Sequence, residues 1–205
     1  MDAVDEFLTI SQVFYLTRHP TIPQGEWAGL QDNGIISGHD GTFGWFAQAC
    51  CDGGDISFKG DIPHINIAGL TDGSGNFTPF SWQRKVNGSS QDFTSGITPI
   101  GPVRIPPGDF IYLNSRFYTF HNDTVYRTST SGELPWSPLA GSPVSNSMPV
   151  FGICPTPEGY LYAAINDTAN PLRIYAPGTD SWYSPSGSTL NGRLVTGFSM
   201  GGFFN

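Results

Sequence analysis

The chain has 205 residues, of which 26 are glycine, 17 are proline and only 13% are charged, and its net charge is −8. This density of glycine and proline excludes a coiled coil, a helical bundle and a helical repeat array. Few, scattered Lys and Arg residues exclude nucleic-acid binding by counterion release and leave no basic face for a membrane. With 38% hydrophobic and 14% aromatic residues, the chain is predicted to form a single all-β domain over 1–205.

The first predicted element is a β-strand at residues 7–17. Leu8, Ile10, Phe14 and Leu16 fall at alternate positions, and threonine and serine occupy positions between them. A period of two residues is typical of a strand with one apolar and one polar face. The opening residues carry three acids and no basic segment, so we expect no secretion signal there.

The stretch Ser37-Gly-His-Asp-Gly-Thr-Phe-Gly-Trp45 resembles the Asp-box turn of sialidase-like propellers. In that turn an Asp accepts backbone N–H bonds and an aromatic residue packs beside it. The resemblance makes His39, Asp40 and Trp45 weak candidates for ligand contacts, although a purely structural turn is the simpler interpretation. Tyr183 is a further weak candidate, because an exposed aromatic ring can stack on a sugar.

Two acidic, glycine-rich stretches offer oxygen atoms that a calcium ion could use. They are Asp52-Gly-Gly-Asp55 and Asp72-Gly-Ser-Gly-Asn76. The second begins like an EF-hand loop, but Gln83 stands at the twelfth position where a Glu is required. Asp and Gly in hairpin turns explain both stretches better, and we predict no metal site and no cofactor.

Cysteine is sparse, with Cys50 and Cys51 adjacent and Cys154 far along the chain. Three cysteines are too few for a disulfide framework, and their spacing fits no zinc site. A bridge from Cys154 to one of the other two remains an alternative. We expect small buried thiols in a reducing compartment.

The segment 109–131 predicts three short antiparallel strands. Apolar runs are separated by Asn114-Ser115 and by Asn122-Asp123, both of which have turn chemistry. The segment 160–176 repeats this plan, with a turn at residues 166–168 between two apolar runs.

These two segments belong to an internal repeat that ends in tryptophan. Glycine precedes the Trp by four residues and follows it by five in both copies, which end at Trp136 and Trp182. Weaker copies end at Trp27 and Trp82, which gives intervals of 55, 54 and 46 residues. A period near 50 built of short strands is typical of a propeller blade, in which an aromatic residue fills the space between adjacent sheets.

The residues from 103 to 187 resemble kelch-like propeller repeats, through phrases such as Leu172-Arg-Ile-Tyr-Ala-Pro-Gly-Thr-Asp-Ser-Trp182. The resemblance implies a small β-propeller of four antiparallel blades, or five if the region of Trp45 holds one more. A C-terminal strand at about 194–204 would then close the ring onto residues 7–17. A β-sandwich or an irregular β fold is the alternative.

No catalytic motif stands out: Gly-x-Ser-x-Gly is absent, and the four histidines lack metal-ligand spacing. The first hypothesis is therefore a non-enzymatic structural or binding module of a larger assembly. Low charge and heavy use of Gly, Ser, Thr and Asn resemble phage virion proteins of the tail, fibre or capsid. Its partners would be other virion proteins or further copies of itself. It would be located in the virion, and an extracellular location is the alternative. A glycan-binding, lectin-like propeller and a sialidase-like enzyme are the other two hypotheses.

Overall fold

The computed structural model describes residues 12–31, 33–38, 45–71, 77–97, 109–142, 144, 149–185 and 195. All sixteen regular elements in these ranges are β-strands. The described part therefore holds no helix that is long and apolar enough to cross a membrane.

The strands form four sheets, each made of four consecutive antiparallel strands. We call these sheets blades 1 to 4. Blade 1 contains β1 (Val13–Arg18), β2 (Glu26–Leu30), β3 (Gly34–Gly38) and β4 (Trp45–Ala49). Blade 2 contains β5 (Asp52–Lys59), β6 (Ile62–Thr71), β7 (Phe77–Val86) and β8 (Ser89–Asp92). Blade 3 contains β9 (Ile111–Leu113), β10 (Arg116–His121), β11 (Thr124–Arg127) and β12 (Ser137–Pro138). Blade 4 contains β13 (Val150–Pro155), β14 (Leu161–Ile165), β15 (Leu172–Ala176) and β16 (Ser181–Tyr183).

The first strands of neighbouring blades contact one another, so β1, β5, β9 and β13 line the inner edge of the row. The fourth strands are largely exposed and form the outer edge. Four separate sheets in sequence, each with its own inner strand, exclude the β-sandwich alternative. Four is also the number of blades that the tryptophan intervals predicted.

The hairpins of blades 3 and 4 confirm the local predictions. Residues 114–115 separate β9 from β10, residues 122–123 separate β10 from β11, and β14 and β15 flank the predicted turn at 166–168. Asn114 and Ser115 both have positive φ, at 51° and 59°. This backbone suits the two-residue hairpin turns whose twist matches that of the flanking strands.

The predicted first strand is present as β1, and residues 7–11 lie outside the described part. The side of β1 that faces the core is the opposite of the one predicted. Tyr15 packs into the core beside blade 2, whereas Leu16, on the predicted apolar face, is exposed. Of the predicted C-terminal strand at 194–204, only residue 195 is described.

Asp52-Gly-Gly-Asp55 is not the hairpin turn that its composition suggested, because these residues begin β5. The glycines serve close backbone approach instead. A Cβ at Gly53 would lie 2.0 Å from the carbonyl oxygen of Gly34 in blade 1, and one at Gly29 would lie 2.1 Å from that of Gly54. Blades 1 and 2 can pack at this distance only without side chains there.

Each neighbouring pair of blades encloses an apolar core. Core 1–2 consists of Trp27, Ile35, Ile56, Ile65 and Ile67. Core 2–3 consists of Trp82, Phe93, Ile97, Phe110, Phe117, Tyr126 and Trp136. Core 3–4 consists of Tyr118, Phe120, Val125, Leu139, Val144, Val150, Ile153, Leu161, Ala163, Ile165 and Tyr175. The hydrophobic burial that stabilises the chain thus lies between the sheets, as a row of blades requires.

Candidate functional site

Each inner strand region contributes one ionisable side chain to a cluster at the inner edge of the row. The members are Tyr15 from blade 1, Asp55 from blade 2, Asp109 from the start of blade 3 and Cys154 from blade 4. Charge interactions link Asp109 to each of the other three. All four keep some solvent-accessible surface. We call this group the inner cluster.

The two carboxylates of the inner cluster connect neighbouring blades. The Asp55 Oδ2 atom accepts a hydrogen bond of 2.7 Å from the backbone N–H of Phe110, and its Oδ1 accepts one of 2.8 Å from Ile56. One blade further along, Asp109 accepts a hydrogen bond from the backbone N–H of Ile153. Hydrogen bonds to a charged acceptor are stronger than neutral ones. Each Asp therefore fastens its own inner strand to the next one.

Burial makes the charged forms of the inner cluster costly. It raises the pKa of Asp55 to about 7, and the negative charge of Asp109 adds to this rise while the two backbone N–H bonds oppose it. Burial likewise raises the pKa of Asp109 to about 6. The pKa values of Tyr15 and Cys154 are also raised by burial, and nearby carboxylates increase the shift. Tyr15 and Cys154 are therefore neutral at pH 7, which makes both poor nucleophiles.

Sequence reasoning missed the inner cluster. The composition of residues 52–55 predicted a turn at Asp55, and Asp109 was only the first residue of the segment predicted to form three strands. The signal that they share is an Asp immediately before a large buried apolar residue: Asp55 precedes Ile56 within β5, and Asp109 precedes Phe110 just before β9. Within the described ranges, no three His, Cys, Asp or Glu side chains are arranged to hold a metal ion.

The ligand candidates from the sequence do not come together in one described site. His39 and Asp40 lie outside the described residues. Trp45 lies on the outermost strand of blade 1 and is about half exposed, and Tyr183 lies on the outermost strand of blade 4, also exposed. The indole of Trp45 lies over Gly38, where a Cβ would be 3.4 Å from the ring.

The four repeat tryptophans occupy different places in their blades. Trp27 lies in the second strand, Trp82 in the third, Trp136 immediately before the fourth and Trp182 within the fourth. The first three are buried in cores between blades, and Trp182 packs against core 3–4. Only Trp136 and Trp182 are close to equivalent, which explains why the repeat is clearest in blades 3 and 4.

All three cysteines are free thiols. Cys50 is exposed, so the expectation of buried thiols is wrong for this residue, which lies in the connection between blades 1 and 2. Burial raises the pKa of Cys51 to about 12, and a hydrogen bond with Cys50 contributes to the rise.

Comparison with solved structures places this arrangement among known folds. The structure is similar to YCF48 from Cyanidioschyzon merolae, with 16% identity, a TM-score of 0.62, and coverage of 91% of this chain and 59% of that one. It is similar to an ancestral GH74 enzyme, with 18% identity, a TM-score of 0.67, and coverage of 89% of this chain and 26% of that one. The fold is a β-propeller.

Other matches widen the range of functions that this fold serves. YCF48 bound to D1 peptide matches with 16% identity and a TM-score of 0.55, covering 84% of this chain and 52% of that one. A calcium-binding regucalcin from Agrobacterium tumefaciens matches with 12% identity and a TM-score of 0.56, covering 85% of this chain and 61% of that one. The chain thus spans about three fifths or less of these propellers. No family model and no curated protein matches its sequence.

Proposed function

We propose that the chain is a non-enzymatic structural and binding module of a larger assembly. The observation that carries this proposal is the apolar surface of blade 1. Four of the eight exposed large hydrophobic side chains in the described part belong to its innermost and outermost strands: Val13, Leu16, Trp45 and Phe46. Large exposed apolar side chains grouped on one blade mark a surface for a protein partner.

The fold suits such a role. YCF48, a propeller of similar architecture, is known in a complex with D1 peptide, so a blade arrangement of this kind is compatible with binding a protein segment. We place the assembly in a phage virion, as a tail, fibre or capsid-associated protein, because of the low charge and the Gly-, Ser-, Thr- and Asn-rich composition. We also propose that blades 3 and 4 are related to the kelch repeats that their sequence resembles.

Incorporation into particles tests the proposal. We expect mass spectrometry to detect the chain in virions purified from the phage that encodes it. The double variant Trp45→Ala, Phe46→Ala should enter particles at least about 10-fold less well, because large aromatic side chains dominate protein interfaces. Ile62→Ala, which truncates an exposed apolar side chain on blade 2, serves as the matched control. Particles that lack the chain would contradict the proposal.

A glycan-binding propeller is the second candidate, and Trp45 favours it. One face of its indole covers Gly38 and about half of the side chain is exposed, which is the presentation that stacking on a sugar ring requires. A glycan array with the wild-type chain and Trp45→Ala tests this function. Saturable binding that Trp45→Ala abolishes and Ile62→Ala retains would support it, and an array without hits would exclude it.

A sialidase-like enzyme is the third candidate, and the inner cluster is where its chemistry would have to occur. Two observations favour a structural role for these residues instead. The pKa of Tyr15 is raised, and the carboxylates of Asp55 and Asp109 already accept hydrogen bonds from backbone N–H groups. Turnover of any substrate in a glycoside panel, lost in Asp109→Asn, would overturn the non-enzymatic proposal.

A further inference from the structure

Cys50 and Cys51 form a pair of adjacent thiols that neither the inner cluster nor the proposed function uses. They make up the whole connection between β4 of blade 1 and β5 of blade 2. Cys50 is exposed, whereas Cys51 and Cys154 are half-buried. Cys50 is therefore the sulfur that a small molecule in solution reaches most easily.

The backbone of this connection brings the two thiols together. Successive side chains of a strand point to opposite faces, but Cys51 has a φ of 75°, which interrupts the extended backbone. Gly34 at the start of β3 packs against the connection, and a Cβ on it would lie 2.7 Å from the carbonyl carbon of Cys50. The Cys51 thiol forms a hydrogen bond with the Cys50 sulfur. Blade 1 thus holds the connection with its two sulfur atoms side by side.

Lys85 of blade 2 places a positive charge beside the thiol pair. Its ammonium donates one hydrogen bond to the backbone carbonyl of Gln48, two residues before Cys50, and one of 2.6 Å to Ser90 Oγ. In the part of the chain that the structure describes, it forms no ion pair with a carboxylate. Its charge interaction there is with the Cys50 thiolate. Two hydrogen bonds therefore fix this ammonium where it favours the ionised form of Cys50.

The three cysteines differ in how readily they ionise. Burial raises the pKa of Cys51 to about 12, and burial together with the charge of Asp109 raises the pKa of Cys154. Both thiols are therefore protonated at pH 7, and the Cys51 S–H can donate to the sulfur of Cys50. A thiolate at Cys50 is stabilised by this donor and by the Lys85 ammonium. Reactive cysteines occupy accessible, electropositive surroundings of this kind.

We propose that Cys50 is a modification site that accepts a thiol from an anionic low-molecular-weight disulfide, such as glutathione disulfide. The Cys50 thiolate attacks one sulfur of that disulfide, and a new S–S bond forms as the old one breaks. One glutathione leaves as a thiolate and takes a proton from water, so the Cys50 sulfur is oxidised and the departing sulfur is reduced. Cys51, as a protonated thiol, does not displace the bound glutathione. The product is a mixed disulfide on Cys50.

The charge of Lys85 makes the site selective for an anion. Glutathione disulfide carries carboxylates that the ammonium attracts, whereas cystamine, a disulfide with an ammonium at each end, is repelled. A change in the ionised fraction of Cys50 alters the exchange rates of both disulfides alike. The ratio of the two rates therefore reports the charge beside Cys50 separately from the reactivity of its sulfur.

The position of the modification is the first test. After incubation with glutathione disulfide, mass spectrometry of the native chain should find one glutathione, on Cys50, and the chain unfolded in urea should carry it on all 3 cysteines. Cys51→Ala, which removes the S–H donor, should slow exchange about 3-fold, and Cys51→Ser, which keeps a donor, should restore the rate. Modification of Cys51 or Cys154 in the native chain, no modification, or a Cys51→Ala rate equal to wild type would overturn the proposal.

Substitution of Lys85 is the second test. Lys85→Gln keeps an N–H donor for the Gln48 carbonyl but has no charge. The ratio of the glutathione disulfide rate to the cystamine rate should fall about 3-fold or more in this variant, and Lys85→Arg should keep the wild-type ratio. Lys59→Gln is the matched control, because it changes the net charge equally at a lysine that pairs with Glu133. An unchanged ratio in Lys85→Gln, or an equal fall in Lys59→Gln, would overturn the proposal.

Discussion

Blades 1 and 2 are joined differently from blades 2 and 3. Core 1–2 is mainly aliphatic and surrounds a single tryptophan, Trp27, whose indole nitrogen has no hydrogen-bond partner in the described part. Core 2–3 is aromatic. Its two indole N–H groups both donate hydrogen bonds across the junction, from Trp82 to Thr119 Oγ1 at 3.3 Å and from Trp136 to the carbonyl of Phe93 at 2.7 Å.

The two junctions also differ in spacing. Blades 1 and 2 approach through glycines until their backbones touch, and a Cβ at Gly29 or Gly53 would overlap the neighbouring blade. Blades 2 and 3 are held apart by rings that pack on edge, such as Phe93 against Trp136 with centroids 5.6 Å apart. The same blade-on-blade packing is thus achieved once by omitting side chains and once by filling the gap with large ones. The most damaging substitution should therefore differ between the two junctions.

Loss of a ring from core 2–3 should have the largest effect. Trp136→Ala removes a buried indole and leaves the Phe93 carbonyl without its donor. We therefore expect the free energy of unfolding to fall by about 3–5 kcal/mol. Urea denaturation followed by fluorescence measures this change. Trp45→Ala, which truncates a half-exposed tryptophan, should cost less than about 1 kcal/mol. Equal losses in the two variants would show that core 2–3 is not a tightly packed junction.

Addition of a single methyl group should damage core 1–2. Gly29→Ala puts a Cβ about 2.1 Å from the Gly54 carbonyl oxygen. Because this contact forces the backbones of blades 1 and 2 apart, we expect the free energy of unfolding to fall by about 2–3 kcal/mol. Gly178→Ala is the control, since nothing lies within 4 Å of its Cβ. Thermal denaturation compares the two, and a Gly29→Ala variant as stable as Gly178→Ala would contradict the close approach.

The predictable parts of this fold depend on local chemistry. Asn114 and Asn122 turn the chain in left-handed conformations that asparagine tolerates, so the hairpins of blade 3 follow from a few neighbouring residues. Blades 3 and 4 also repeat each other closely enough for the Trp136–Trp182 pattern to show the propeller.

The unpredicted parts depend on what lies next to a residue in space. Asp55 and Asp109 accept hydrogen bonds from N–H groups 55 and 44 residues away, so their role requires knowing which strand passes beside them. Alternation in β1 shows that Leu16 and Tyr15 lie on opposite faces, but it does not show which face a neighbouring blade covers. Gly53 resembles a turn residue until the neighbouring backbone is in place.

The junction between blades 2 and 3 should also be pH-sensitive. Asp55 has a folded pKa near 7 against an ordinary 3.8, so the stability from its protonated form is complete below about pH 4 and is lost as pH rises to about 7. Burial lowers the pKa of His64, in contact with Phe93 and Phe117, to about 4. Its contribution has the opposite sign, because stability is lost as pH falls from about 6.5 to 4.

Asp55→Asn should separate these two contributions. Asp55→Asn removes the titrating carboxyl, so between about pH 5 and pH 7 the variant should lose less stability than wild type, by about 2 kcal/mol. Urea midpoints at three pH values measure the trend. Asp167→Asn is the control, because the hydrogen bond from the Ala169 backbone N–H lowers the pKa of Asp167 and keeps it charged over this range. A parallel pH dependence in Asp55→Asn and wild type would disprove the assignment to Asp55.

The ion pairs across the same junction should matter least. Glu133 of blade 3 bonds Lys59 and Arg84 of blade 2, with 3.0 Å to Arg84, yet its side chain is 46% exposed. Exposed pairs contribute about 0–1 kcal/mol and are screened by salt. Glu133→Gln should therefore lower stability by less than about 1 kcal/mol, and the difference should vanish near 1 M NaCl, while the Trp136→Ala loss should persist. A Glu133→Gln loss that salt leaves unchanged would mean that charge, as well as the aromatic rings, joins blades 2 and 3.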